Sequence, residues 1–198
     1  MAIVAGASAL GLVGPMPSGP GVISDELIRE ITRTVPPPIA TFLLTSETDA
    51  ENVVKHHGRV GTNTIQLVDA LDELAYDRIR AALPNVKLVQ VIHVIDQGSV
   101  DEACLVAPHV DSILLDSGNP NLAVKELGGT GRVHNWALSR EIVETCGKPV
   151  FLAGGIRAEN VREAFERVGP FGFDLCSSVR TNGALDPRKL DEFFAAIG

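Results

Sequence analysis

Apolar runs of strand length alternate with helical segments along almost the whole chain, and this alternation limits the possible fold more than any other feature. The runs lie at 8–13, 39–44, 62–68, 86–94, 111–117, 149–155 and 172–178. Most of them are apolar throughout, which is typical of parallel strands covered by helices. The segments between them are long enough for crossover helices. The chain therefore predicts a parallel α/β fold.

Two architectures of this class fit the pattern. A doubly wound sheet is one, but a (β/α)8 barrel of the TIM type fits better, because the unusual residues gather at strand ends. Such a barrel has eight strands, so one unit is missing. We place the gap at the front, because Met1–Gly6 has the pattern of a helix end with no strand before it. We expect one domain over residues 1–198, an α/β barrel lacking its first strand.

Capping residues predict where several helices begin and end. Ser24 and Asp186 are expected N-caps, each directly before a helical pattern. Thr48 and Ser99 each stand three residues before a glutamate, the spacing of a capping box. Gly58 is expected to end the helix that starts after Thr48.

Small residues close the last two strands. Gly154 and Gly155 end one, and Ser177 and Ser178 end the other. Small residues let backbone N–H groups approach a ligand closely, and the last two strand ends of a parallel barrel are a common phosphate site. We therefore predict a phosphate site here. Either strand taken alone would also fit an ordinary buried strand with a glycine turn.

Composition restricts the partners and the location. The formal net charge of -8 argues against a nucleic-acid surface, although one small site can still be locally positive. No apolar run is long enough to cross a bilayer, and Met1–Val13 lacks the basic start of a signal peptide. The three cysteines have no metal-ligand spacing and are typical of a reducing cytoplasm. We expect no nucleic acid, membrane or metal partner.

A series of motifs resembles the phosphoribosylanthranilate isomerase family. A strand ending in Asp116 is followed by a connection of unusual length, 118–136, of the kind that is usually functional. A Gly-Gly pair alone would be weak evidence for the family, but the motifs share their order and spacing with it from about Ala5 to the chain end. The motifs are Leu114–Ser117, Gly-Gly-Thr-Gly at 128–131, Trp136, Pro149–Gly155, Glu159–Val161, Pro170–Asp174, Asn182–Gly183 and Asp186–Pro187.

The resemblance implies a reaction and a set of site residues. Enzymes of this family are (β/α)8 barrels of tryptophan biosynthesis that isomerise an aminoaldose phosphate to an aminoketose, without metal or cofactor. Asp116 matches the general acid that protonates the furanose ring oxygen. Apolar neighbours could raise the pKa of its carboxyl, as an acid requires, although Asp116 could instead cap the following loop. The expected partner is a small phosphorylated sugar–amine.

Further contacts follow from the same resemblance. The phosphate contacts correspond to Gly154, Gly155, Ser177 and Ser178. Substrate contacts are also expected from the glycine-rich loop and from a histidine at the end of the fourth strand. For this histidine, a structural role at the barrel rim, with its hydrogen bonds satisfied within the protein, is an equal alternative. These residues are Gly129, Thr130, Gly131 and His93.

Three departures from the family pattern keep alternatives open. The family's general base is a cysteine in a Lys-Ile-Cys-Gly strand that this chain lacks. The loop that carries a carboxylate-binding arginine in the family reads Pro17–Val22 here and contains none. Ser178 replaces a glycine, and would be strained at positive φ.

The first interpretation of these departures is an isomerase whose first strand lies upstream. The others are a related barrel acting on another phosphosugar, and a protein that only binds one. An open barrel edge would favour association, for example as a homodimer.

Overall fold

The computed structural model describes residues 1–17, 19–118 and 133–198, and within them a parallel sheet of seven strands runs in chain order. This order never reverses, whereas a doubly wound sheet changes direction at a switch point. The barrel-type prediction is therefore the one that fits. The strands are β1 (Ala9–Val13), β2 (Ala40–Thr45), β3 (Thr64–Leu67), β4 (Lys87–His93), β5 (Ser112–Asp116), β6 (Val150–Leu152) and β7 (Gly172–Phe173).

Helices connect successive strands, as the alternation predicted. A short 3-10 turn, Ser177–Val179, follows β7, and a small antiparallel hairpin of β8 (Arg180–Thr181) and β9 (Ala184–Leu185) comes next. The segment 174–178 was expected to continue the last strand, and that expectation was wrong. The helices are α1 (Ala2–Ala5), α2 (Asp25–Thr34), α3 (Ala50–Val60), α4 (Glu73–Ala82), α5 (Gly98–Val106), α6 (Trp136–Thr145), α7 (Val161–Val168) and α8 (Pro187–Ile197).

The sheet curls so that its two ends approach each other. Helix α1 ends at Gly6, which has a left-handed φ of 118°. A β-carbon on Gly6 would lie 3.2 Å from the ring of Phe194 in α8, so the helix before β1 packs on the helix after β7. Within the described residues, β1 and β7 do not pair with each other. The result is a curled parallel sheet with helices outside.

Side chains alternate between two apolar layers along each strand. One layer lies between sheet and helices and includes Ile92, Leu115 and Leu152. The other, which we call the interior cluster, lines the concave side of the sheet. It comprises Val68, Val89, Val91, Leu114 and Ala153, with Met16, Phe42, Leu44 and Phe151 packed against it.

Two of the four predicted N-caps are confirmed. The Ser24 hydroxyl accepts the N–H of Leu27, and the Asp186 carboxylate accepts those of Arg188 and Lys189.

The prediction for α3 was wrong, because Asp49 rather than Thr48 caps it, accepting the N–H of Asn52 at 3.0 Å. The helix also runs past Gly58 and ends at Gly61, which has the left-handed φ that a C-cap glycine accommodates.

Ser99 is not an N-cap either. It lies inside α5, and its hydroxyl accepts the N–H of Ile95 and donates to the carbonyl of His93. The residue therefore ties the helix to the end of β4. Among the described residues, none of the helices combines the length and apolar character needed to span a membrane.

A buried chain of hydrogen bonds joins β2, α2 and α3. The Thr45 hydroxyl lies 2.9 Å from Nδ1 of His56, and Nε2 of His56 lies 3.0 Å from a carboxylate oxygen of Asp25. Because the carboxylate accepts, Nε2 is the donor and Nδ1 accepts from the threonine. Gly14 leaves room for this imidazole: a β-carbon there would lie 2.5 Å from Cε1 of His56 and 3.1 Å from the Leu44 carbonyl oxygen.

We expect Gly14→Ala to destabilise the fold by about 1–3 kcal/mol, the usual cost of overpacking, since the new methyl meets backbone as well as the ring. Urea unfolding followed by circular dichroism measures the change. Gly58→Ala is the matched control. Gly58 is an exposed helical glycine with nothing within 4 Å of its added β-carbon, so this change should stabilise by roughly 0.5–1 kcal/mol. Equal stability of the two variants would contradict the assignment.

Candidate active site

Three polar side chains meet on the concave side of the sheet at the carboxyl ends of the strands. Leu114 belongs to the interior cluster, and side chains two residues apart share a face, so Asp116 faces the interior as well. His93 is the register partner of Asp116 on β4. Phe173 packs on the helix side, which turns Asp174 inward. This end of the sheet therefore holds two carboxyls and an imidazole.

Asp116 is the buried acid of this group, with 7% of its surface exposed. Its carboxylate accepts the N–H of Ser117 at 2.7 Å. Burial raises the pKa of this carboxyl, while the Ser117 hydrogen bond and the charge of His93 oppose the rise. The Ser117 bond has the geometry of a loop cap. Asp116 thus combines the capping contact with the raised pKa that an acid catalyst needs.

His93 is held in one orientation beside Asp116. Its Nε2 lies 3.2 Å from the carbonyl oxygen of Val68, and a carbonyl can only accept, so Nε2 donates. Nδ1 is buried and has no hydrogen-bond partner among the described residues. In the neutral ring that nitrogen is an unsatisfied acceptor. His93 therefore faces the interior, with one ring nitrogen bonded and the other unpaired among the described residues.

Asp174 ends the Pro170–Asp174 motif, but the sequence predicted no role for it. Its N–H donates to the Leu152 carbonyl at 3.0 Å, which places it directly beyond β7. The residue as a whole is exposed, whereas its carboxyl is close enough to protein atoms to lose hydration. Burial and the charge of Asp116 together raise the pKa of Asp174 to about 6. Strand alternation from Gly172 was the signal that could have found it.

The first two predicted phosphate residues lie just beyond the end of β6. Gly154 and Gly155 have φ values of 73° and 67°, a left-handed turn in which backbone N–H groups can point at an anion. A β-carbon on Gly154 would come within 3.0 Å of the Ser117 hydroxyl and of Nδ1 of His134. A side chain at Gly154 would therefore be crowded by these neighbours and strained by the left-handed φ.

The serines reach the site differently from the prediction. Ser177 and Ser178 lie in the 3-10 turn rather than at the end of a strand. The described residues other than glycine contain one positive φ, at Asn182, so Ser178 carries no such strain. The other predicted substrate contacts, Gly129, Thr130 and Gly131, lie outside the described residues.

Cys176 and Arg180 extend the site toward the loop that follows β1. Burial raises the pKa of the Cys176 thiol; Arg180 opposes the rise, and the charges of Asp174 and Asp116 add to it. The thiol therefore lies within electrostatic range of a guanidinium and of the two carboxyls. In the described part of the chain, no three His, Cys, Asp or Glu side chains are grouped as metal ligands would be.

A sequence model of one family matches residues 7–196, and its description is N-(5'phosphoribosyl)anthranilate (PRA) isomerase. A relative from Methanosarcina mazei, N-(5'-phosphoribosyl)anthranilate isomerase 2, is 35% identical over 195 residues, covering 98% of this chain and 85% of the relative.

Solved structures of such enzymes share the fold. Phosphoribosyl anthranilate isomerase from Thermotoga maritima superposes with a TM-score of 0.80 at 25% identity, covering 98% of this chain and 90% of that one. Another was solved with reduced 1-(o-carboxyphenylamino)-1-deoxyribulose 5-phosphate, and its TM-score is 0.77 at 23% identity, with 98% and 89% covered. The predicted barrel type is thereby confirmed.

We expect Asp116→Asn to lower the pKa of Asp174 from about 6, because a neutral amide removes the like charge. The value should stay above that of a free aspartate, since burial is the larger cause. Carbon-13 NMR of the side-chain carboxyls across pH 3–8 measures it. Asp191→Asn, an exposed change on α8, is the control and should leave Asp174 unchanged. Identical titration of Asp174 with and without Asp116 would show that the carboxyls do not interact.

Proposed function

The chain belongs to the N-(5'-phosphoribosyl)anthranilate isomerase family, and from this premise we propose that it converts N-(5'-phosphoribosyl)anthranilate to 1-(o-carboxyphenylamino)-1-deoxyribulose 5-phosphate in tryptophan biosynthesis. The observation that carries the proposal is the Asp116 carboxyl. It is buried at a strand end, its pKa is raised, and it shares the open end of the sheet with the left-handed turn at Gly154 and Gly155. A proton donor beside an anion site is what this rearrangement requires.

Ring opening is the first chemical step, and Asp116 is the proposed acid. Its proton passes to the furanose ring oxygen, and the bond from that oxygen to C1' breaks. The lone pair of the anthranilate nitrogen forms the C=N bond of a protonated Schiff base. Burial favours the neutral carboxylic acid and so keeps the proton available.

Loss of the C2' proton is the second step, and Asp174 is the proposed acceptor. The proton leaves C2' for the carboxylate, and the electron pair of the C–H bond forms the enolamine, which then becomes the ketone. Two neighbouring carboxyls resist double ionisation and share a proton as a pair. Asp116 gives up one proton and Asp174 takes one, so the two carboxyls together hold the same number of protons after the reaction as before it.

The phosphate is proposed to bind at Gly154, Gly155, Ser177 and Ser178. Backbone donors at a left-handed turn and serine hydroxyls suit phosphate oxygens. The neighbouring turn is held in place by Asn160, whose side-chain oxygen accepts the N–H of Arg157 while its amide donates to the Gly155 carbonyl. Gly129, Thr130 and Gly131 remain predicted substrate contacts, and His93 is the proposed acceptor for a sugar hydroxyl.

We expect Asp116→Asn to lower kcat by about 10²–10⁴, the usual size of a general-acid effect. Thermal stability at pH 7 should be equal or higher, because the buried site disfavours a carboxylate. The fluorescence change on conversion of N-(5'-phosphoribosyl)anthranilate measures the rate, and calorimetry measures the melting temperature. Asp191→Asn is again the control. Undiminished kcat in the Asp116 variant would remove it as the acid, and an inactive parent protein would overturn the proposed function.

Self-association is a separate proposal that follows from the sheet edges. Apart from an isolated bridge between Val13 and Val22, main-chain groups on the outer edges of β1 and β7 have no strand partner within the described residues, and such edges favour pairing with another chain. Light scattering after size-exclusion chromatography should therefore give about twice the chain mass of 21.0 kDa. A monomer at micromolar concentration would refute the dimer.

A further inference from the structure

We infer that Arg180 binds the carboxylate of the substrate's anthranilate ring; the inference rests on the proposed function. N-(5'-phosphoribosyl)anthranilate carries two anionic groups, a phosphate at one end and a benzoate carboxylate at the other. The second anion needs a cation of its own, and Pro17–Val22 in the loop after β1 contains none. Arg180 approaches this loop from the other end of the curled sheet.

The guanidinium of Arg180 spans the opening between the two ends of the sheet. Its Nη1 donates to the carbonyl of Gly183 at 2.8 Å, which fixes the orientation of the fork. Its Nη2 lies 3.7 Å from the place that a β-carbon on Gly21 would take. Gly21 has a φ of 85° and no side chain, so the second side of the guanidinium meets open backbone there. The arginine thus reaches from beyond β7 to the loop after β1.

Arg180 also differs from its neighbours in its charge balance. Arg157 lies 3.4 Å from a carboxylate oxygen of Glu159, and Arg188 lies 3.0 Å from one of Glu192. Within the residues that the structure describes, Arg180 forms no ion pair with a carboxylate. Its five N–H donors match a carboxylate in bidentate geometry, and Gly183 and the Cys176 thiol use only part of this capacity.

The order of charges across the site separates the two ends of the substrate. Arg180 lowers the pKa of the Cys176 thiol, whereas the charges of Asp174 and Asp116 raise it. A benzoate placed near the two aspartates would be repelled, whereas one held at Arg180 is attracted. The amine-bearing carbon of the sugar then lies toward the carboxyl pair, and the phosphate toward Gly154. Arg180 would therefore set both the affinity for the aromatic acid and the direction in which the substrate lies.

A pair of stable ligands tests the inference without turnover. Reduced 1-(o-carboxyphenylamino)-1-deoxyribulose 5-phosphate is compared with the same compound made from aniline, which lacks the carboxylate. Isothermal titration calorimetry on the full chain measures both affinities. We expect the parent protein to bind the carboxylate ligand more tightly. Arg180→Met should weaken the binding of that ligand only, by roughly 10- to 100-fold, which corresponds to the loss of a hydrogen bond between charged groups.

The aniline ligand is the internal control for folding, since an intact phosphate and sugar site should bind it equally in both proteins. Arg188→Met, a change of the same charge on an exposed helix position, should alter neither affinity, and Arg180→Lys should fall between parent and Met. Equal weakening of both ligands, or of neither, overturns the role of Arg180 while leaving the isomerase proposal standing. Failure of the parent protein to bind either ligand overturns the proposed function and this inference with it.

Discussion

The two-residue alternation of side chains along parallel strands is the constraint on which the rest of the structure depends. Each strand sends one set of side chains to the helices and the other to the concave face. Parallel pairing in register aligns these sets from strand to strand, so that His93 stands beside Asp116. All carboxyl ends lie at the same edge, and a polar residue in the last inward position of each strand joins a common site. Strand alternation and parallel register are enough to bring these side chains together.

The same arrangement sets stability against function. Asp116 and Asp174 are inward-facing carboxyls whose pKa values are raised, so their charged forms are disfavoured in the fold. For a group of this kind the folded protein loses stability as the pH rises through the raised pKa. The chain tolerates this cost where proton transfer is proposed. By contrast, both ring nitrogens of the buried His56 are bonded, in the link from Thr45 through His56 to Asp25.

The sequence was sufficient for the alternation of strands and helices and for the barrel class, because apolar runs are local patterns. Helix caps were predicted less well. At α3, Asp49 caps the helix in place of Thr48, and in α5 the Ser99 hydroxyl bonds to the end of β4. The spacing of a capping box could not show which of two adjacent side-chain oxygens, that of Thr48 or that of Asp49, would accept the helix N–H. Asp174 was missed because its role arises from Asp116, a residue distant in sequence. Arg180 was missed because the curl of the sheet carries it to Gly21.

The loop after β1 lacks the arginine that the family carries there, and Arg180 approaches this loop from beyond β7. Both features bear on one physical problem. A substrate with two anions must present its uncharged reacting carbons to a pair of carboxyls, which repel both anions. Backbone donors at Gly154 and Gly155 can hold one anion on one side without any net charge. The other anion needs a cation on the opposite side, far enough from Asp116 that the two do not neutralise each other. Arg180 meets this condition, since within the described residues it forms no ion pair with a carboxylate and its Nη2 lies near Gly21 in the loop after β1. An arginine in direct contact with Asp116 would instead lower the pKa of the acid and remove its proton. Separation of the cation from the acid is therefore as necessary to the reaction as the presence of either.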